Sequence, residues 1–164
     1  MIRTERIGHV VLKVRDLKRS VEFYHGVLGL DVMSEAAGLR MAFLASNRRD
    51  HHEIALMEVG PKAELPAWNQ LGLVHIAFRL RNQEDLQAAY AEFKQRGVPI
   101  AFTVNHGITN SVYFLDPDGH QLEVYCDNPP EEVARLTDGY MGMDKLEFAS
   151  DDPGLAEFFT QMRH

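Results

Sequence analysis

From Ile7 to Leu30 the chain first alternates apolar and polar residues and then repeats its apolar residues at helical spacing, and the same change of period returns between Leu73 and Ile100. The first stretch reads Ile-Gly-His-Val-Val-Leu-Lys-Val-Arg-Asp, followed by Leu17, Val21, Tyr24 and Leu28 and then Gly29. The second reads Val-His-Ile-Ala-Phe-Arg-Leu-Arg-Asn, followed by Leu86, Ala89, Tyr90 and Phe93 and then Gly97. A period of two predicts a strand and a period near 3.6 predicts a helix. A shift of 66 positions superposes His9 on His75, Asp16 on Asn82 and Tyr24 on Tyr90. Asp16 and Asn82 then stand at the helix N-caps, where a short side-chain oxygen can accept from a free backbone N–H.

Three further strand-like segments follow each helix. They run roughly from Leu30 to Ser34, Leu39 to Leu44 and Glu53 to Met57, and then from Ile100 to Val104, Ser111 to Leu115 and Gln121 to Cys126. The pattern predicts an α+β fold of two βαβββ modules, packed to form an open, cleft-containing, β-barrel-like sheet with a C-terminal helical tail. The expected organisation is one domain over residues 1–128, with module one at about 5–59 and module two at about 71–127, and a tail over 129–164. Asp116-Pro117-Asp118-Gly119 is a turn signal that fixes the register of the strand carrying Glu123, and His120 beside it is expected in solvent. In the tail, Pro130 to Leu136 and Leu155 to Met162 read as short helices of an accessory flap or interface element. The Gly60 to Gly72 loop links the modules, and its Trp68 reads as core or pocket lining.

Composition narrows the partners. With 164 residues and 45% hydrophobic content, the chain can bury one substantial core. Its 17 basic and 24 acidic residues give a net charge of -7, which argues against nucleic acid or an anionic membrane as partner. Cys126 is the only cysteine, so neither an intramolecular disulfide nor a cysteine-rich zinc site is available, and a reducing, cytoplasmic location is expected. The first apolar stretch is short and broken by Lys13, which makes it neither a secretory leader nor a membrane span.

Strand alternation puts His9 with Val11 and Lys13 on one face, against Val10, Leu12 and Val14 on the other, and pairs His75 with Ala77 and Arg79 in the second half. In the last strand Gln121, Glu123 and Tyr125 share a face opposite Leu122 and Val124. Taken singly, each histidine could be an ordinary hydrogen-bonded residue. Their repeat-related placement, with Glu123, instead predicts a metal held by two imidazoles and one carboxylate, an arrangement suited to Fe(II) that leaves coordination positions open. The runs His52-Glu53-Ile54-Ala55-Leu56 and His120-Gln121-Leu122-Glu123-Val124 align at a shift of 68, so Ala55 occupies the place that Glu123 takes in the second half. A methyl group cannot ligate, and three protein ligands remain.

These features resemble the vicinal oxygen chelate superfamily (glyoxalase, bleomycin resistance and dioxygenase proteins), over nearly all of residues 5 to 126. Within it, the motif Val104-Asn105-His106, Val112-Tyr113, Asp116-Pro117-Asp118-Gly119, Glu123 resembles the signature of the type I extradiol ring-cleaving dioxygenases, in their compact two-module branch. The resemblance implies His9, His75 and Glu123 as ligands of Fe(II), with Mn(II) as the other option. It implies His106 and Tyr113 as groups that hydrogen-bond a chelated catecholate, and His52 as the acid/base. Its expected activity is cleavage of a small aromatic diol with O2, in a homo-oligomer. The stretch from His52 to His75 is longer than is usual for the family, which lengthens the Gly60 to Gly72 loop. Three other readings stay open: a glyoxalase-like lyase or isomerase, which would need a fourth ligand where Ala55 stands; a metal-dependent thiol transferase acting on an antibiotic; and a metal-free binding module for an aromatic ligand.

Overall fold

The computed structural model describes residues 1–67, 69–137 and 142–161. Trp68 and Met162 therefore lie outside the described residues. The chain forms two compact units, Met1–Trp68 and Asn69–His164. Each is α+β and carries one βαβββ module.

In the first unit, β1 (Val10–Val14) leads into α1 (Leu17–Gly26), followed by β2 (Asp31–Ala36), β3 (Met41–Ala45) and β4 (Ile54–Glu58). The sheet order is β1-β4-β3-β2, with β1 parallel to β4 and the other pairs antiparallel. Asp16 caps α1 as expected, accepting from Arg19 N at 2.9 Å. The helix stops at Gly26, earlier than the apolar spacing suggests. The chain then turns at Gly29, whose φ of 69° favours glycine, and the Leu30 N–H returns to the Tyr24 carbonyl at 3.1 Å. Leu12, Val14, Tyr24, Leu44, Ile54 and Leu56 form the buried side of this unit. The predicted alternation of β1 holds, because Leu12 and Val14 are buried while Val11 and Lys13 are exposed.

The second unit repeats the plan with β5 (Ile76–Arg79), α2 (Gln83–Arg96), β6 (Ile100–Asn105), β7 (Thr109–Leu115) and β8 (Gln121–Asp127), in sheet order β5-β8-β7-β6. Asn82 caps α2 by accepting from Asp85 N at 2.9 Å. Leu86 and Phe93 of α2 are buried with Val112, Phe114, Leu122 and Val124, and the Phe93 and Phe114 rings lie 4.4 Å apart. Burying each such aromatic stabilises the fold by about 1.5–3 kcal/mol. The duplication reaches to irregularities of pairing: a register shift lies between Val32 and Ser34 in one sheet and between Ile100 and Phe102 in the other.

Among the described residues the tail holds two short α-helices, α3 (Pro130–Val133) and α4 (Leu155–Gln161), and its later residues bridge to the free edge of β6. Thr103 N donates to Pro153 O at 2.9 Å and Asn105 N to Asp144 O at 2.7 Å. Asp152 anchors this segment, accepting from the Tyr90 hydroxyl at 2.5 Å and pairing with Lys94 Nζ at 3.0 Å. Among the described residues, no helix is long and apolar enough to cross a membrane.

Burial and the neighbouring Asp152 carboxylate push the Tyr90 phenol up from 10.0 to about 12. The folded value exceeds the unfolded one, so the stability this group carries is whole below pH 10 and drains as pH rises from 10 to about 12. Asp152→Ala leaves the Tyr90 hydroxyl without its acceptor and should destabilise the protein by about 1–3 kcal/mol, read as a lowered Tm. In the same variant, absorbance titration should show Tyr90 ionising at lower pH than in the parent. Unchanged stability and titration would show that Asp152 does not hold the tail.

Candidate functional site

Two clusters of chemically capable side chains stand out, one in each unit. In the second unit, β8 is central and places Glu123 between Ala77 of β5 and Tyr113 of β7. Glu123 is only 6% exposed. Its Oε2 lies 3.1 Å from Nε2 of His75, which sits one residue before β5 rather than within the strand. The Tyr113 ring stands edge-on to His75, with centroids 5.2 Å apart at 87°. Burial first, and then the Glu123 carboxylate that accepts its hydrogen bond, raise the Tyr113 hydroxyl well above the ordinary phenol range. The hydroxyl therefore stays protonated and remains a hydrogen-bond donor at neutral pH.

His106 joins this group from the tight loop between β6 and β7. Gly107, at a φ of 82°, allows the reversal there, and the His106 N–H donates to Thr109 O at 2.9 Å. Asn105 Oδ1 accepts from the Gly107 N–H at 2.7 Å and from Asn128 Nδ2 at 3.1 Å, which locks the loop from both sides. The result puts His106 Nε2 3.5 Å from the Tyr113 hydroxyl. On its other side, Tyr113 stacks on Phe102, with centroids 4.1 Å apart and planes at 18°.

The register of β8 depends on the turn before it. Asp116 accepts from the Asp118 and His120 N–H groups at 2.9 and 2.8 Å, and its second oxygen meets His120 Nδ1 at 2.8 Å. His120 is thus not the solvated residue expected from its place in the turn. The buried carboxylate of Asp116 draws it in, leaving its side chain 18% exposed.

In the first unit, His9 also precedes its strand by one residue, and its ring lies 4.4 Å from that of His52 and 6.1 Å from that of His51. His51 and His52 approach through their Nδ1 atoms at 2.6 Å, so one of the two nitrogens carries the shared hydrogen. Phe43 packs against His52 at 4.9 Å. Burial first, and then the charges of His51 and His9, lower the His52 pKa from its ordinary value and favour the neutral imidazole. Val11 and Phe43 flank Ala55 in this sheet as Ala77 and Tyr113 flank Glu123 in the other. Ala55 is fully buried and brings no donor atom.

Of the predicted metal ligands, the structure brings His75 and Glu123 together, while His9 belongs to the other unit with His52. Among the described residues, no cluster of three or more His, Cys, Asp and Glu side chains is positioned to hold a metal ion. The pair itself suits one: 3.1 Å is close to the separation of two ligands each about 2.1 Å from a single ion at a right angle. An imidazole and a buried carboxylate are also donors that a first-row divalent metal accepts. The sequence reading missed Phe102, Asn128 and Phe43, which support the functional groups. Phe43 was accessible through the repeat, since it occupies the place of Tyr113, whereas nothing in the spacing points to Phe102 or Asn128.

Comparison with known families settles the ancestry: the Glyoxalase/Bleomycin resistance protein/Dioxygenase superfamily matches residues 6–124. The chain belongs to this superfamily. It is 35% identical over 136 residues to biphenyl-2,3-diol 1,2-dioxygenase 3 of Rhodococcus globerulus, an alignment that covers 80% of this chain and 70% of the relative. It is 32% identical to catechol-2,3-dioxygenase of Bacillus subtilis, covering 92% of this chain but spanning about half, 51%, of that enzyme. A glutathione transferase of Serratia marcescens, FosA, is 30% identical, with 90% of this chain and 98% of that one covered. Among solved structures, a glyoxalase/dioxygenase from Nostoc punctiforme shares the fold with a TM-score of 0.64 at 24% identity, covering 76% of this chain and 92% of that one.

The Asp116 turn yields a test. Asp116→Ala strands two backbone N–H groups and His120, and should destabilise the protein by about 2–4 kcal/mol in chemical denaturation. A change below about 0.5 kcal/mol would show that the strand carrying Glu123 is held in place without this turn.

Proposed function

We propose that the chain is an Fe(II)-dependent extradiol dioxygenase that cleaves a catechol-type ring with O2, the metal being held by His9, His75 and Glu123. The observation that carries this reading is the buried Glu123 carboxylate 3.1 Å from His75, with Tyr113 and His106 aligned behind it. The identities to the biphenyl-2,3-diol and catechol dioxygenases support the choice of substrate class. When bound, Fe(II) supplies a path for electrons from the electron-rich ring to O2; Mn(II) is the alternative ion.

The protein's own groups do the rest. His52, with a lowered pKa, takes a diol proton at Nε2 while donating its Nδ1 hydrogen to His51. It later returns that proton to oxygen as the ring opens. Tyr113 holds its proton and donates a hydrogen bond, and His106 lies beside it at 3.5 Å to orient the diol oxygens. The buried, stacked faces of Phe102 and Tyr113 keep water from this side of the reacting ring.

A second reading, glutathione transfer, has one observation in its favour: the chain is 30% identical to the Serratia marcescens transferase over 90% of its residues. It gives no role to the neighbouring His106 and Tyr113. The glyoxalase-like alternative needs a fourth ligand that Ala55 does not provide.

Oxygen uptake by anaerobically Fe(II)-loaded protein, followed over a panel of catechols and 2,3-dihydroxybiphenyl, should match one-to-one the appearance of a yellow hydroxymuconic semialdehyde-type product. Metal-loaded protein that consumes no oxygen with any diol, yet conjugates glutathione, would replace the first reading by the second. Glu123→Ala should abolish stoichiometric Fe(II) binding in a folded chain, and full metal content in that variant would remove Glu123 from the ligand set. His52→Ala should retain the metal while kcat falls about 10²–10⁴-fold. An unchanged kcat would exclude His52 from proton transfer.

A further inference from the structure

The tail segment around Gly142 meets His106 with both of its backbone groups. The Gly142 N–H donates to the His106 carbonyl at 3.2 Å, and the Gly142 carbonyl lies 3.3 Å from His106 Nδ1. A carbonyl oxygen only accepts, so Nδ1 must carry the hydrogen, and Nε2 of the neutral ring is left with its lone pair. Nε2 lies 3.5 Å from the Tyr113 hydroxyl oxygen, whose own hydrogen goes to Glu123, so the lone pair is left for a ligand.

The position of Gly142 is itself fixed by neighbours in the same unit. Two residues on, Asp144 pairs with Asn105, the residue before His106. Farther along, Gly154 bridges to Thr103 and Asp152 is gripped by Tyr90 and Lys94. Leu155 and Phe158 of α4 then pack on the Phe102, Val104 and Tyr113 cluster, with the Phe158 and Phe102 rings 4.6 Å apart. The tail thus meets His106 directly through a carbonyl and reaches Tyr113 through Phe102, which stands between Phe158 and the Tyr113 ring.

We propose that the C-terminal tail is a positioning element of the catalytic site, in which the Gly142 carbonyl sets the tautomer of His106 so that Nε2 serves as a hydrogen-bond acceptor toward the bound diol. This rests on the dioxygenase reading for its chemical consequence, but the tautomer itself does not. An acceptor at Nε2 can take a hydrogen bond from a diol hydroxyl as it enters, whereas the other tautomer would point a donor at the same oxygen. The tail selects which substrate group His106 holds.

The test combines a spectroscopic and a kinetic arm on the full-length chain. Long-range 1H–15N correlation of the metal-free protein, with the His106 signals identified by their loss in His106→Gln, should show a protonated Nδ1 and an unprotonated Nε2. Gly142→Pro removes the N–H that ties the tail to His106, and Gly142→Ala keeps it. The proline variant should show a mixed tautomer and lose roughly tenfold in kcat with little change in KM, while the alanine variant, which keeps both backbone groups, should show the parent tautomer. A parent ring protonated at Nε2 would overturn the proposal whatever the activity. So would active parent protein whose proline variant, with an unchanged melting curve, keeps both kcat and tautomer. Absence of any ring cleavage by the parent would defeat the dioxygenase reading alone and leave the tautomer result to decide the role of the tail.

Discussion

A carboxylate in the middle of a four-stranded sheet is unfavourable unless charge or hydrogen bonds answer it, and Glu123 is the residue around which the second unit is arranged. The parallel pairing of β5 with β8 sets Ala77 beside it, small enough to leave room, and brings His75 in at the strand's start. The antiparallel pairing with β7 sets Tyr113 on its other side as a donor. A slip of one residue in either pairing would turn Glu123 toward Leu122's side of the sheet, into the layer filled by Phe93 and Phe114. The Asp116 turn, with its buried carboxylate holding the Asp118 and His120 N–H groups and the His120 ring, therefore guards a chemical property as much as a structural one.

The first unit uses the same frame for a different purpose. Ala55 fills the position of Glu123 and Phe43 that of Tyr113, so the middle of this sheet is apolar and needs no polar partner. Its polar groups gather at the strand's approach, where His9, His51 and His52 crowd together and burial favours a neutral His52. The duplicated module has thus divided its labour: one sheet holds a buried anion and its donors, and the other presents imidazoles at its margin.

Much of this was legible in the residues because periodicity is a local signal and the repeat supplies an internal control. Asp16 and Asn82 cap their helices as read, the strands fall close to their predicted bounds, and the paired shifts between Val32 and Ser34 and between Ile100 and Phe102 follow the same duplication. The His75 and Glu123 contact was legible because His75 directly precedes β5 and Glu123 lies within β8, two segments whose faces alternation fixes. What escaped notice depends on contacts between distant segments. The stack of Phe102 on Tyr113, the lock that Asn128 puts on the His106 loop, and the pairing of the tail with β6 have no periodic signature. His120 was misjudged for a related reason: a turn predicts exposure, but Asp116 offers a buried acceptor within reach.

The parallel pairing of each module's first strand with its last has a consequence for how the protein is made. β1 cannot find its neighbour until β4 exists, and β5 must wait for β8, so each sheet closes only after its whole module has left the ribosome. The first unit can finish this closure while the second is still being synthesised. The half that holds Glu123 closes after the first, and its outer strand then waits for the tail, so this region stays open to unwanted partners for longer than the first unit does.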